Sequence, residues 1–272
     1  MSKVCALLVP HAPVLLDEIG YGVLDQVRST RDALFSLADA LKNFSPQAII
    51  LSTPHNFFLE NKIGILTKPT LRGSFRNFGF PQIKHEFEND VFLVSKLLRS
   101  PQTREFLVPL ESDELDHGAL VFLDFFVRRG GRSKLVLLTA AWGDLKTFYE
   151  FGIALRDVLA QEEKARYAYV ASGDLSHCTR ASERGPFHEE GPLFDSLVIE
   201  SVKTGCPEKL LKLDMRFLHR AEQCGLFSFL VAFGLSSNGA TEGKVLSYED
   251  PFGVGYLVGI LRKNGCDFPL TT

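Results

Sequence analysis

Histidines recur where short apolar runs end. His11 lies in Val9-Pro10-His11-Ala12-Pro13, His55 in Ser52-Thr53-Pro54-His55-Asn56, and His177 closes Ser172-Gly173-Asp174-Leu175-Ser176-His177. The prolines beside His11 fix the backbone and forbid a helix at that turn. A stiff loop suits a metal ligand, which must be held to a few tenths of an ångström. His55 repeats the same strand–proline–histidine pattern. If the first two strands were adjacent and parallel, both imidazoles would meet at one edge of the sheet. Two neutral imidazoles at one point are a common start for a zinc, iron or copper site. Asp174 and His177 are three residues apart, so one helical turn would bring them together. A carboxylate beside an imidazole orients the ring and stabilises its charged form, as general acid–base chemistry requires. The plainer alternative makes Asp174 or Ser176 a helix cap and leaves His177 exposed.

Other residues add to this set. Asp116-His117-Gly118 precedes an apolar run. Asp116 reads as a helix cap, and His117 as a pocket-rim residue able to donate to an oxyanion. A third metal ligand is sought in His219-Arg220-Ala221-Glu222-Gln223-Cys224-Gly225. On one continuous helix Glu222 and Cys224 point roughly 200° apart at about 100° per residue, so only one of them can reach a metal. Both lie on apolar stripes, and periodicity does not choose between them. Glu249, beside the turn Asp250-Pro251, is a weaker carboxylate candidate. His85, His188 and His219 stand in charged surroundings and are expected at the surface.

The elements that must position these side chains follow from periodicity. Strands are expected at Val4–Val9, Ala48–Ser52, Lys62–Leu66, Lys134–Ala140 and Tyr167–Ser172. Lys244–Tyr248 and Gly253–Leu261 read as a closing pair. Helical spacing covers Asp25–Lys42, Asn89–Arg99, Gly118–Arg129, Leu145–Ala165 and Glu190–Lys203. It also covers Cys206–Phe233, with a break near Asp214. Residues 67–81 and Gly130-Gly131 read as loops. Strands apolar on both faces and separated by helices predict an α/β chain: an αβα sandwich whose mostly parallel or mixed sheet is covered by helices on both faces.

Composition narrows the function classes. The 272 residues, 45% of them apolar, can bury a large core, and residues 1–272 are expected to form a single domain. A net charge of −3 points neither to nucleic acid nor to an anionic membrane. The densest basic group, Arg128-Arg129 with Arg132 and Lys134, reads as a solvated turn. The apolar run before Pro10 is too short for a secretory signal, and no later run spans a bilayer uncharged, so the cytosol is expected. Cys5, Cys178, Cys206, Cys224 and Cys266 form no CxxC pair. A disulfide framework is therefore not expected, and each cysteine is by default a small buried apolar residue.

Taken in order, several segments carry a family resemblance. They are Pro10-His11-Ala12-Pro13, Thr53-Pro54-His55, Phe75-Arg76-Asn77-Phe78-Gly79, Asp116-His117-Gly118, the Ser172–His177 segment, Glu222-Gln223-Cys224-Gly225 and Pro251-Phe252-Gly253-Val254-Gly255-Tyr256. The chain resembles the superfamily of class III extradiol ring-cleaving dioxygenases, in their catalytic chain, and most closely its Memo-like and AmmeMemoRadiSam-system branch. The resemblance implies that His11 and His55 bind metal, that His177 is the acid–base residue with Asp174 beside it, and that His117 lies near the substrate. It implies glutamate as third ligand in the dioxygenases, but the cysteine of a Cys-Gly pair in Memo-like relatives, where Cys224-Gly225 aligns. A thiolate there favours zinc or copper(I) over iron, and it is open to oxidation. The expected function is a non-haem Fe(II) dioxygenase that opens a catechol-like or aminophenol-like ring with O2. Zinc or copper are the alternative metals, and relatives lead one to expect a homodimer. The rival expectations are a Memo-like redox or metal-binding protein without ring cleavage, and a zinc-dependent hydrolase.

Overall fold

The computed structural model describes residues 3–162, 164–183, 185–237, 241–263 and 268–269; Cys266 lies outside them. The strands are β1 (Lys3–Val9), β2 (Ala48–Thr53), β3 (Ile63–Leu66), β4 (Thr70–Phe75), β5 (Phe80–Glu88), β6 (Leu107–Leu110), β7 (Lys134–Thr139), β8 (Arg166–Ser172), β9 (Thr241–Glu249) and β10 (Tyr256–Lys263). The helices are α1 (Arg28–Phe44), α2 (Val91–Arg99), α3 (His117–Arg128), α4 (Leu145–Leu159), α5 (Glu190–Thr204), α6 (Met215–Arg220) and α7 (Leu226–Ser236). Eight strands form one mixed sheet in the order β6-β3-β7-β2-β8-β1-β10-β9.

Strand alternation builds a core on each side of this sheet. Ala6 and Leu8 of β1, Ala48 and Ile50 of β2, and Tyr167, Tyr169 and Ala171 of β8 join one apolar cluster with α2, α4, α5, α6 and α7. Cys5, Leu7 and Val9, Ile49 and Leu51, and Ala168 and Val170 join the other, with α1, α3 and the β4–β5 hairpin. Two buried faces explain why these strands read as unbroken apolar runs. Every residue of α7 is buried, which accounts for a helix apolar all round. The α/β sandwich expected from the pattern is the one observed.

Four particulars differ from the sequence reading. The first two strands are not neighbours: β8 lies between them, parallel to both. Residues 67–81 are not a loop but supply β4 and the start of β5, an antiparallel hairpin. Its signal was the alternation of Ile83, His85 and Phe87 with Lys84, Glu86 and Glu88. The helical segment from Cys206 has its expected break near Asp214, between a short 3-10 turn (Leu210–Lys212) and α6, but it breaks a second time, between α6 and α7. The second break turns at Glu222, whose φ of 50° is left-handed. The helix read as Leu145–Ala165 stops at Leu159.

Smaller expectations change as well. Arg128 and Arg129, read as part of a solvated turn, instead close α3 and are held in ion pairs: Arg128 pairs with Asp124, Asp17 and Glu18, and Arg129 with Asp39. His85 is not a surface residue, because its Nε2 lies 2.8 Å from Oδ1 of the buried Asp124. Cys206 is exposed rather than buried. Among the described residues no helix is long and apolar enough to cross a membrane.

Candidate metal centre

Parallel β1, β8 and β2 end at one edge of the sheet, and their following segments carry His11, Asp174 to His177, and His55. Convergence at the ends of parallel strands is where open α/β sheets place their sites. His117 arrives from a different direction, at the first turn of α3. Asp116 caps that helix: its Oδ1 accepts from Ala119 N at 3.0 Å and from Thr53 Oγ1 at 3.0 Å. One carboxylate therefore fixes the start of α3 to the end of β2, beside His55. Burial raises the Asp116 pKa to about 6.

Nε2 of His11 and Nε2 of His55 stand 3.2 Å apart. The His55 and His117 rings stack at 4.4 Å, and the His117 ring meets that of His11 edge-on at 5.4 Å. Ligand atoms of all three imidazoles lie within 4.8 Å of one another, a group that can hold a metal ion. Cys224 borders the group through His11, with Sγ 3.5 Å from His11 Nε2. Two nitrogens that each bind one ion at about 2.0–2.1 Å sit roughly 3 to 3.5 Å apart, so the His11–His55 pair fits a shared ion.

The tautomer of His11 follows from its neighbours. Ser172 Oγ donates to the Gly118 carbonyl at 2.5 Å. Its single proton is thereby spent, so it accepts from Nδ1–H of His11 at 3.1 Å. The lone pair of His11 then lies on Nε2, facing His55. Two facing ring nitrogens at 3.2 Å need a proton or a cation between them. Without a metal a neutral His55 can supply that proton through its Nε2–H; the charged imidazolium forms are disfavoured. Burial holds the His11 pKa well below its usual value, helped by His55 and His177. Burial also lowers His55. His117 is pushed down to about 3 by burial, then by His11 and His55. Neutral imidazoles are the state a metal requires.

Asp174 joins the loops around this centre. Its Oδ1 accepts from His11 N at 2.9 Å, and its Oδ2 lies 3.9 Å from His11 Nε2 and 4.0 Å from His177 Nε2. Its backbone N donates to Cys224 Sγ at 3.3 Å, and its carbonyl accepts from Gly225 N at 3.0 Å. Asp174 and His177 approach along a non-helical segment, not through the helical turn expected from their spacing. Nδ1 of His177 donates to the Glu222 carbonyl, which can only accept, so Nε2 of His177 is the nitrogen turned to Asp174.

The structure thus brings His11, His55, His117, Asp174, His177 and Cys224 together. Glu222 enters through its backbone, because its carboxylate lies 3.9 Å from His188 Nε2. Glu249 caps α1 instead, accepting from Thr30 N at 2.7 Å and Thr30 Oγ1 at 2.6 Å. Sequence reasoning missed Ser172, although its place at the end of β8 was visible. It also missed that the β4–β5 hairpin sets the Phe78 ring against His117 at 5.2 Å.

The profile of the family described as catalytic LigB subunit of aromatic ring-opening dioxygenase matches residues 5–259. Protein CA_C1420 of Clostridium acetobutylicum is 30% identical over 268 residues, covering 94% of this chain and 56% of that protein. The chain therefore spans little more than half the length of that curated relative. The crystal structure of the uncharacterized protein JW3007 from Escherichia coli K12 shares the fold, with a TM-score of 0.62 at 13% identity, over 94% of this chain and 98% of that one. The chain belongs to the LigB family of aromatic ring-opening dioxygenase catalytic subunits.

Proposed function

We propose that the chain is a cytosolic, non-haem metal-dependent dioxygenase of the extradiol type, acting on a catechol-like or aminophenol-like ring. The observation that carries this reading is the pair of Nε2 atoms of His11 and His55, 3.2 Å apart, with the His177–Asp174 pair beside them. His11, His55 and His117 would hold the metal, with Cys224 as the flanking donor. A bound ferrous ion would supply the place where two ring heteroatoms and O2 come together.

The chain's own residues handle the protons. His177 keeps Nδ1–H on the Glu222 carbonyl, which leaves Nε2 to take a proton from a substrate hydroxyl. The Asp174 carboxylate at 4.0 Å stabilises the imidazolium so formed. The same Nε2 can later return the proton as an acid. Phe78, against His117, offers an aromatic wall to a flat ring.

One observation favours a second reading, a Memo-like redox or metal-binding protein that opens no ring. Cys224 Sγ is 3.5 Å from His11 Nε2, while the Glu222 carboxylate is paired with His188. A thiolate donor softens the site toward zinc or copper(I). The experiment that separates the two loads the protein anaerobically with Fe(II), adds a panel of catechols and aminophenols, and admits air. Ring opening gives a yellow product by the first reading. Bound iron with no product across the panel favours the second.

A further inference from the structure

Asp195 on α5 is 1% exposed and has no cationic partner among the bonds it makes in the described structure. A buried carboxyl of this kind is costly unless its oxygens are satisfied. Oδ1 accepts from Ser176 N at 2.9 Å, and Oδ2 accepts from the Tyr248 hydroxyl of β9 at 2.7 Å. Both partners donate, and a carboxylate is the side chain that accepts at both oxygens. Gly255 leaves room for it, since a Cβ at that position would stand 2.1 Å from Oδ2.

The partner of Asp195 is the backbone of the segment that carries Asp174 and His177. That segment has no helix to hold it. It is laced instead to the turn between β9 and β10: Leu175 N donates to Gly255 O at 2.8 Å, Gly255 N to Ser176 O at 2.9 Å, and Thr179 N to Gly253 O at 3.1 Å. Asp195 grips it from the α5 side at Ser176, one residue before His177.

We propose that Asp195 and Tyr248 are positioning residues for His177: they fix Ser176 so that the imidazole keeps Nδ1–H on the Glu222 carbonyl and Nε2 toward Asp174. The catalytic half of this inference rests on the reading of His177 as the acid–base group; the orientational half does not.

Nitrogen-15 NMR of histidine-labelled protein tests it, with the His177 signals identified by their loss in His177→Gln. The wild type is expected to show His177 as the Nδ1–H tautomer. In Tyr248→Phe and Asp195→Asn the His177 ring is expected to become a mixture of tautomers, while the His11 signals stay in place. Where a catechol is turned over, Tyr248→Phe should lower kcat about 10- to 100-fold at little change in KM, and should lower it no further in a His177→Gln background. An unchanged His177 tautomer in Tyr248→Phe overturns the proposal, as does an equal kcat loss with and without His177. Tyr248→Phe removes a single hydroxyl and decides the matter even if Asp195→Asn does not fold. If no substrate is turned over, the ring-opening reading fails separately and the NMR result still decides the orientation.

Discussion

Ser172 Oγ lies 3.1 Å from Nδ1 of His11 and gives its own proton to the Gly118 carbonyl. A hydroxyl at the end of β8 therefore decides which nitrogen of a histidine at the end of β1 is free to bind a cation. Partners of this kind beyond the ligands commonly govern metal affinity.

Ser172→Ala removes the acceptor for His11 Nδ1–H and frees the ring to change tautomer. Metal affinity should fall about 10- to 100-fold with the fold intact. A competition titration against a chromophoric chelator measures this; unchanged affinity would show that the hydroxyl does not select the tautomer.

The three imidazoles make the metal-free protein respond to pH in a definite sense. Folding lowers the pKa values of His11, His55 and His117, the last to about 3, so the unfolded chain binds more protons below about 6.5. Stability from these groups is present above about pH 6.5 and lost as pH falls toward their folded values. Burial acts oppositely on Asp116 and Asp195, raised to about 6 and about 7, whose contribution is present below about pH 4 and lost as pH rises. A difference between variants isolates one group. His117→Gln should gain on the wild type by roughly 1 kcal/mol for each pH unit between about 6.5 and 4.5. Urea melts of the two metal-free proteins check this, and a gap that does not change with pH contradicts it.

Gly173 and Gly225 touch backbone to backbone. A Cβ on Gly173 would stand 2.1 Å from Gly225 Cα, and backbone cannot yield as a flexible side chain can. Gly173→Ala should cost about 1–3 kcal/mol and displace Cys224 from Asp174. Calorimetry reads the first effect and metal affinity the second; a variant as stable as the wild type, with unaltered metal binding, would show that the contact is not tight.

How much of this was legible in the residues depends on the range of the interaction. That His11, His55, His177 and Asp174 converge could be read because each sits just past an apolar run or in a short motif, where local pattern marks the strand ends. The sandwich could be read because strands buried on both faces lose their polar alternation. The insertion of β8 between β1 and β2 could not, since strand order depends on pairing between distant segments. Glu222 defeated the helical argument because a left-handed residue there is usually glycine or asparagine, and nothing in the glutamate announces the turn. His117 was read as a pocket-rim residue, but the cap made by Asp116 to Thr53 packs it against His55, a link between residues far apart in the chain.

His177→Ala removes the proposed base while leaving His11, His55 and His117 in place. With a working ring substrate kcat should fall about 100- to 10,000-fold at unchanged metal content. A variant that turns over at the wild-type rate would remove His177 from the chemistry.

The proposed chemistry requires a cation shared by His11 and His55. Metal analysis of protein purified without added metal, in the wild type and in His11→Ala, with X-ray absorption at the edge of the metal found, tests that most directly. A stoichiometric ion with imidazole scattering in the wild type, lost in His11→Ala, is the predicted result. Equal metal content in both proteins, or an absorption spectrum without imidazole ligands, would contradict it.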